Sequence, residues 1–100
     1  MRHARFDVAS LAIARVDVPL KAAYLLVAEV DPGAVPHWEC VAYALETAPI
    51  DQSTYRVDIT TLDGRRFTGE ALLVRSVEGT HVLRGAGELF GFSSEDLGPG

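Results

Sequence analysis

Residues 55–92 read YRVDITTLDGRRFTGEALLVRSVEGTHVLRGAGELFGF. Tyr55, Val57 and Ile59 alternate with Thr54, Arg56, Asp58 and Thr60, the period of a strand with one buried face. Two glycine turns follow, Asp63-Gly64 and Glu78-Gly79. A two-residue turn at the first would set Val57 opposite Glu70 and Ile59 opposite Thr68, mixing apolar and polar side chains on each face. A three-residue turn over Leu62-Asp63-Gly64 instead sets Ile59 opposite Phe67, Val57 opposite Gly69 and Tyr55 opposite Ala71. Arg56–Glu70, Asp58–Thr68 and Thr60–Arg66 then share the other face. Only this register separates the faces, so it is the one expected.

The same reasoning with a three-residue loop at Val77-Glu78-Gly79 sets Leu73 opposite Leu83, Ala71 opposite Gly85, Gly69 opposite Gly87 and Phe67 opposite Leu89. Two turns read separately agree on one inner face, which makes residues 55–92 a three-stranded antiparallel meander. Gly69, Gly85 and Gly87 gather on that face beside Ala71. A patch without side chains lets a sheet coil sharply or lets another segment approach closely. The expected fold is therefore all-β, a small, mainly antiparallel barrel of about six strands. The outer face carries Leu72, Val74 and Val82, with Val74 opposite Val82. A solvated outer face should be polar. Either the N-terminal segment covers this patch or another subunit does.

The first half of the chain is less sharply patterned. Residues 1–18 change the parity of their apolar positions near Ser10; a strand over about Ala12 to Val18 is expected there. Leu20–Val30 (LKAAYLLVAEV) is almost wholly apolar and stops at Asp31-Pro32-Gly33, strong turn chemistry. A run of this kind is buried on both sides and fits a core strand or a core helix. His37–Glu46 carries the same ambiguity, bounded by Pro36 and Pro49. The short Asp31–Pro36 link suits a hairpin, so both are read as strands. The alternative is α+β, with helices near 20–30 and 37–47 packed on a three-stranded meander. Residues 1–92 are read as one β domain, with Ile50 tucked against the core, and residues 93–100 as a flexible C-terminal tail.

Composition removes several functions. One hundred residues, 48% of them hydrophobic, suffice for one core. A net charge of −5 and a pI near 5.0 offer no basic field for a phosphate backbone, so no nucleic-acid partner is expected. A single cysteine, Cys40, allows no intramolecular disulfide and suits a reducing compartment. No stretch approaches the roughly 20 apolar residues of a membrane helix, and the charged start lacks the apolar region of a secretory signal. A cytoplasmic protein without a membrane partner is the simplest expectation. Lys21 is the only lysine and asparagine is absent, which points to a high-GC bacterial genome.

No constellation carries catalytic or metal chemistry well. Gly85-Ala86-Gly87 with Gly91 has the wrong spacing for a phosphate loop and no following helix. His37-x-x-Cys40 could chelate a metal on a helix; on a strand the two residues point to opposite faces. Cys40 and His81 are the only nucleophile–base pair a barrel could assemble, yet nothing activating adjoins Cys40. Arg75, placed on the inner face opposite His81, could hold a small anion at a barrel mouth with an acid such as Glu29. Tyr24, Trp38, Tyr43, Tyr55 and Phe90 could line a cavity, but a barrel this small needs such side chains as filling. No catalytic residue, metal or cofactor is therefore expected.

The leading expectation is a non-catalytic protein-binding or assembly module acting through an apolar sheet face or edge as a homo-oligomer, with Leu72, Val74 and Val82 at the interface. The alternative is a small-molecule-binding barrel or minor enzyme whose mouth site uses Trp38, Tyr43, Arg75 and His81.

Overall fold

The computed structural model describes residues 2–97. Its strands are β1 (Arg2–Ile13), β2 (Val16–Asp17), β3 (Leu20–Glu29), β4 (His37–Ala44), β5 (Thr54–Thr61), β6 (Arg66–Val77) and β7 (Thr80–Gly85). Around the wall the order is β1-β3-β4-β7-β6-β5, every neighbouring pair is antiparallel, and β5 pairs with β1 to close the barrel. The two-residue β2 is the extra strand, paired to β1. Closure removes the open edges that a flat sheet would present. Among the described residues no helix is long and apolar enough to cross a membrane.

Both ambiguous segments are strands. Leu25, Val27 and Ala23 of β3 point inward and meet Cys40, Trp38 and Ala42 of β4. The Asp31–Pro36 link is a hairpin connection between them. The expectation that Leu20–Val30 is buried on both sides does not hold: Leu26 is 38% and Val30 53% exposed. An apolar run gives no sign of which of its faces meets solvent.

The N-terminal segment also differs from the expected Ala12–Val18 strand. One strand runs from Arg2 to Ile13 and reverses at Ala14-Arg15, both at positive φ (51° and 67°), before β2. Non-glycine residues pay roughly 1–2 kcal/mol each for that conformation, so nothing in their identity advertises the turn. The parity change near Ser10 is a bulge: the β1–β5 register shifts between Val8 and Ser10. Leu11 and Ile13 thereby stay in the core after Ala4 and Val8.

In the meander, β5–β6 has the expected register throughout, from Thr60–Arg66 to Tyr55–Ala71. Between β6 and β7 the core pairs Leu73–Leu83 and Ala71–Gly85 are as expected. The turn, however, is the two residues Glu78-Gly79, at φ 50° and 85°, as a type I′ hairpin requires. The register shifts between Leu73 and Arg75, leaving Val74 as the extra residue. Arg75 therefore pairs with Val82 on the outside, and Ser76, not Arg75, faces His81. β7 stops at Gly85, so Gly69 and Gly87 do not pair as strand partners; Thr68 bridges Phe90 instead.

Trp38 fills the inner glycine patch. Its indole Nε1 donates to the Gly87 carbonyl at 2.8 Å, and a Cβ on Gly69 would lie 3.0 Å from its Cζ2. The close approach that the glycines permit is made by Trp38 of β4. Leu11, Leu25, Val57, Ile59, Phe67, Leu73 and Leu83 occupy the rest of the interior.

At the barrel end near Phe67, the residues after β7 fold back as a cover. Leu89 and Leu97 are buried, and Phe6, Phe67 and Phe92 pack together with centroids 5.0–6.4 Å apart. Arg65 lies 4.9 Å over Phe67 and 5.4 Å over Phe6, bonds Asp96 through both terminal guanidinium nitrogens at 2.5 and 2.7 Å, and donates to the Gly91 carbonyl. Ser93 and Asp96 form a capping box around a single 3-10 turn, Ser94–Asp96. Residues 93–97 are thus docked; residues 98–100, the end of the tail read from sequence as 93–100, lie outside the described residues.

Candidate functional site

Two surfaces remain once the interior is filled: the mouth opposite the Arg65 end, and the outer face of β3, β4, β7 and β6.

At the mouth, Ala42 and Ser76 flank His81 across the sheet. His81 is only 2% exposed, yet it is among the residues that line a pocket of about 210 Å³. Val16, Val18 and Pro19 from the β1–β3 connection form one wall; Ala48, Pro49 and Ile50 from the β4–β5 loop form another. Asp17 and Glu46 are the charged groups on the lining. The Ser76 hydroxyl lies 2.9 Å from His81 Nδ1 and accepts the Ile50 N–H at 2.8 Å. One small polar residue thus ties the loop, the strand and the imidazole together.

Burial pushes the His81 imidazolium below its ordinary pKa of 6.5. The unfolded chain therefore binds this proton more tightly, and stability falls as pH drops below about 6.5. Asp96 acts lower: the Arg65 guanidinium holds its carboxyl below the ordinary 3.8, so its contribution is present above that value and is lost on further acidification. Thermal unfolding between pH 8 and 3 should show two successive declines in Tm. His81→Gln should remove the upper decline and leave the lower one; an unchanged upper decline in that variant would contradict the assignment.

The four residues read from sequence as mouth contacts are not brought together. His81 is at the mouth. Trp38 lies four residues from Ala42 along β4, about 13 Å away at strand spacing, with its ring in the core. Tyr43 and Arg75 point outward, Tyr43 because it follows inward Ala42, and Arg75 because of the bulge at Val74. Ser76, Ile50 and the β1–β3 connection were missed. An arginine forced to the inner face was the available signal that the β6–β7 loop had been read one residue too long.

Cys40 and His37 occupy opposite faces of β4, Cys40 fully buried and His37 exposed. Burial, with Glu39 beside it, pushes the Cys40 thiol up to about 12. A thiol so held is protonated at neutral pH and is no nucleophile.

The outer face forms a grid. Tyr24, Val41, Val82 and Arg75 make its central row, with Val74 beside them; Leu26, Glu39, Arg84 and Leu72 make the next row, and Ala22, Tyr43, Thr80 and Val77 the third. Val41 points outward but is only 8% exposed, covered by its cross-strand neighbours. Leu26, Tyr43, Leu72 and Val77 are 38–50% exposed. The N-terminal segment closes the barrel between β3 and β5 and meets this grid at Tyr24, where the Arg5 guanidinium lies 4.5 Å over the ring. Leu72, Val74 and Val82 all belong to it, although Val74 and Val82 are not opposite each other. The part supplied by β3 was missed because the run Leu20–Val30 was read as buried on both sides. Comparison of the chain with protein-family models, with curated proteins and with solved structures gives no match.

Proposed function

We propose that this barrel is a non-catalytic binding module whose outer β3–β4–β7–β6 face docks a second copy of the chain. The observation that carries the reading is the unbroken row Tyr24–Val41–Val82 with exposed Leu26, Tyr43, Leu72 and Val77 around it. Solvated antiparallel faces are normally polar, and contiguous exposed apolar area marks interaction surfaces. Closure of the wall favours a face over an edge, since only the two-residue β2 lacks a second neighbour. The grid carries charges of both signs, Arg75 in the central row and Glu39 and Arg84 in the next, where those two side chains stand 4.0 Å apart. A two-fold axis through the grid would let each copy's arginine meet the other's glutamate.

Sedimentation of the wild type should give the mass of a dimer at micromolar concentration. Leu72→Arg and Val74→Arg should shift it to monomer, weakening association by about 30-fold or more if they touch a hot spot. Because Leu72 is exposed, Leu72→Arg should leave thermal unfolding of the monomer nearly unchanged. A wild type that sediments as a monomer at all accessible concentrations ends this reading.

A further inference from the structure

We infer that the mouth pocket is a binding site for a small molecule that carries no negative charge, has a ring-sized apolar body and presents one hydrogen-bond acceptor, and that His81 is the group that orients it. The inference is independent of the outer face and concerns the opposite chemistry: a concave site with one buried polar group.

The walls set the body of the ligand. Val16, Val18, Pro19, Ala44, Pro49 and Ile50 supply apolar surface, and about 210 Å³ is the liquid volume of about seven waters, enough for a single substituted ring. Histidine sets its polar end. The Ile50 N–H donates into Ser76 Oγ, so the hydroxyl proton is free to turn toward His81 Nδ1. A neutral imidazole that accepts at Nδ1 carries its proton on Nε2. In that tautomer Nε2, the ring nitrogen outside the serine bond, would meet an occupant as a donor. The lining sets the charge. Asp17 and Glu46 are the only ionisable groups on the pocket besides His81, and both are acids. An anion entering between them would be repelled.

Several features would be unnecessary if His81 were mere core filling. Its neighbours across the sheet, Ala42 and Ser76, are small, and an aliphatic side chain at this position would need neither the serine nor the loop amide it holds. The pocket is also built from two connections, β1–β3 and β4–β5, which carry the variable, adaptable backbone of the barrel while the strands hold the polar group rigid.

The test is a titration of the isotopically labelled full chain at pH 7.5, followed by NMR. Benzyl alcohol, which matches the inferred ligand in size, charge and acceptor, should shift the His81 ring signals and the Ile50 and Ala44 amides saturably, with a dissociation constant on the order of millimolar. Benzoate, of the same body but negative, should leave them in place. His81→Phe keeps the aromatic volume and removes the donor, and should weaken benzyl alcohol roughly fivefold or more. Ala48→Trp, at an exposed loop position on the pocket wall, should block it while leaving the barrel's amide spectrum folded. Absence of shifts at these three residues up to the solubility limit overturns the inference. So do equal shifts with benzoate, or undiminished affinity in His81→Phe. None of these outcomes alters the sedimentation mass, so the two proposals fail separately.

Discussion

Gly85→Ala should destabilise the barrel by about 3 kcal/mol, the upper end of overpacking penalties, and Gly85→Leu should leave the chain unfolded. A Cβ at Gly85 would meet the Trp38 indole head-on, 2.5 Å from Cε2 and 2.6 Å from Cδ1 and in contact with Nε1. Flexible side chains can swing away from such contacts; this ring cannot. It is 3% exposed, its Nε1 is bonded to the Gly87 carbonyl, and its far edge rests on Gly69. Moving it breaks a buried hydrogen bond and opens a cavity at the same time. Gly87 is the internal control. It lies two residues away on the same segment, at an ordinary φ, and a Cβ there meets nothing within 4 Å. Gly87→Ala should fall within about 0.5 kcal/mol of wild type. Denaturant unfolding of the two variants at 25 °C measures the contrast directly. Trp38→Leu alone should cost about 3 kcal/mol through lost volume, but in its background Gly85→Ala should cost much less. The coupling between the two sites should be about 1–3 kcal/mol. Equal stability of Gly85→Ala and Gly87→Ala would mean that the indole does not rest on Gly85.

This contact also shows what could and could not be read from the chain. Alternation placed Gly69, Gly85 and Ala71 on one inner face because parity along a strand needs no knowledge of its partners. It could not say what fills the space above them, since Trp38 lies on a strand whose position around the barrel depends on long-range pairing. Parity has a second blind spot. A three-residue loop, and a two-residue loop followed by a one-residue bulge, give the same alternation beyond the bulge. The pairs Leu73–Leu83 and Ala71–Gly85 were therefore correct while Val74, Arg75 and Ser76 were each misplaced by one residue. That single slip hid the mouth, because it put a charged side chain where the serine that holds His81 belongs. The outer grid was hidden differently. In Leu20–Val30 both faces are largely apolar, so the inward half could be recognised only after the barrel had closed, and in His37–Ala44 Val41 and Tyr43 share the outward face with His37 and Glu39. Leu72, Val74 and Val82 were legible because they share their outer parity with Arg66, Glu70 and Arg84, against an inner set of Phe67, Ala71, Leu73 and Leu83.

Arg65 marks the limit of pattern reading and carries the second large effect. It sits in a turn, where periodicity is silent, and its partner Asp96 lies 31 residues on in the segment that reads as a tail. Arg65→Ala should lower stability by about 2–3 kcal/mol, a Tm loss of roughly 10–20 °C for a domain of this size. Three interactions go together. The two-pronged bond to Asp96 has both partners partly screened from water, 33% and 19% exposed, so it exceeds the usual surface pair. The guanidinium plane also stacks on Phe6 and Phe67, and Nη2, besides its bond to Asp96, donates to the Gly91 carbonyl. Arg65→Lys should restore only part of the loss, because an ammonium can neither span both carboxylate oxygens nor stack as a plane. Asp96→Asn should cost less than Arg65→Ala, since the stacking and the Gly91 contact survive. The loss should also be local before it is global. Thr68 and Phe90 exchange backbone hydrogen bonds at 3.1 and 2.8 Å, and with the Ala86 N–H, which donates to the Glu70 carbonyl at 2.8 Å, they tie the segment after β7 to β6. In Arg65→Ala the Phe90 amide should exchange with solvent far faster, while amides at the Leu73–Leu83 pair slow-exchange as before in proportion to global stability. A Tm within about 3 °C of wild type would show that the phenylalanine cluster holds the cover unaided. A Phe90 amide that exchanges in step with the core would show that the cover opens only when the barrel does.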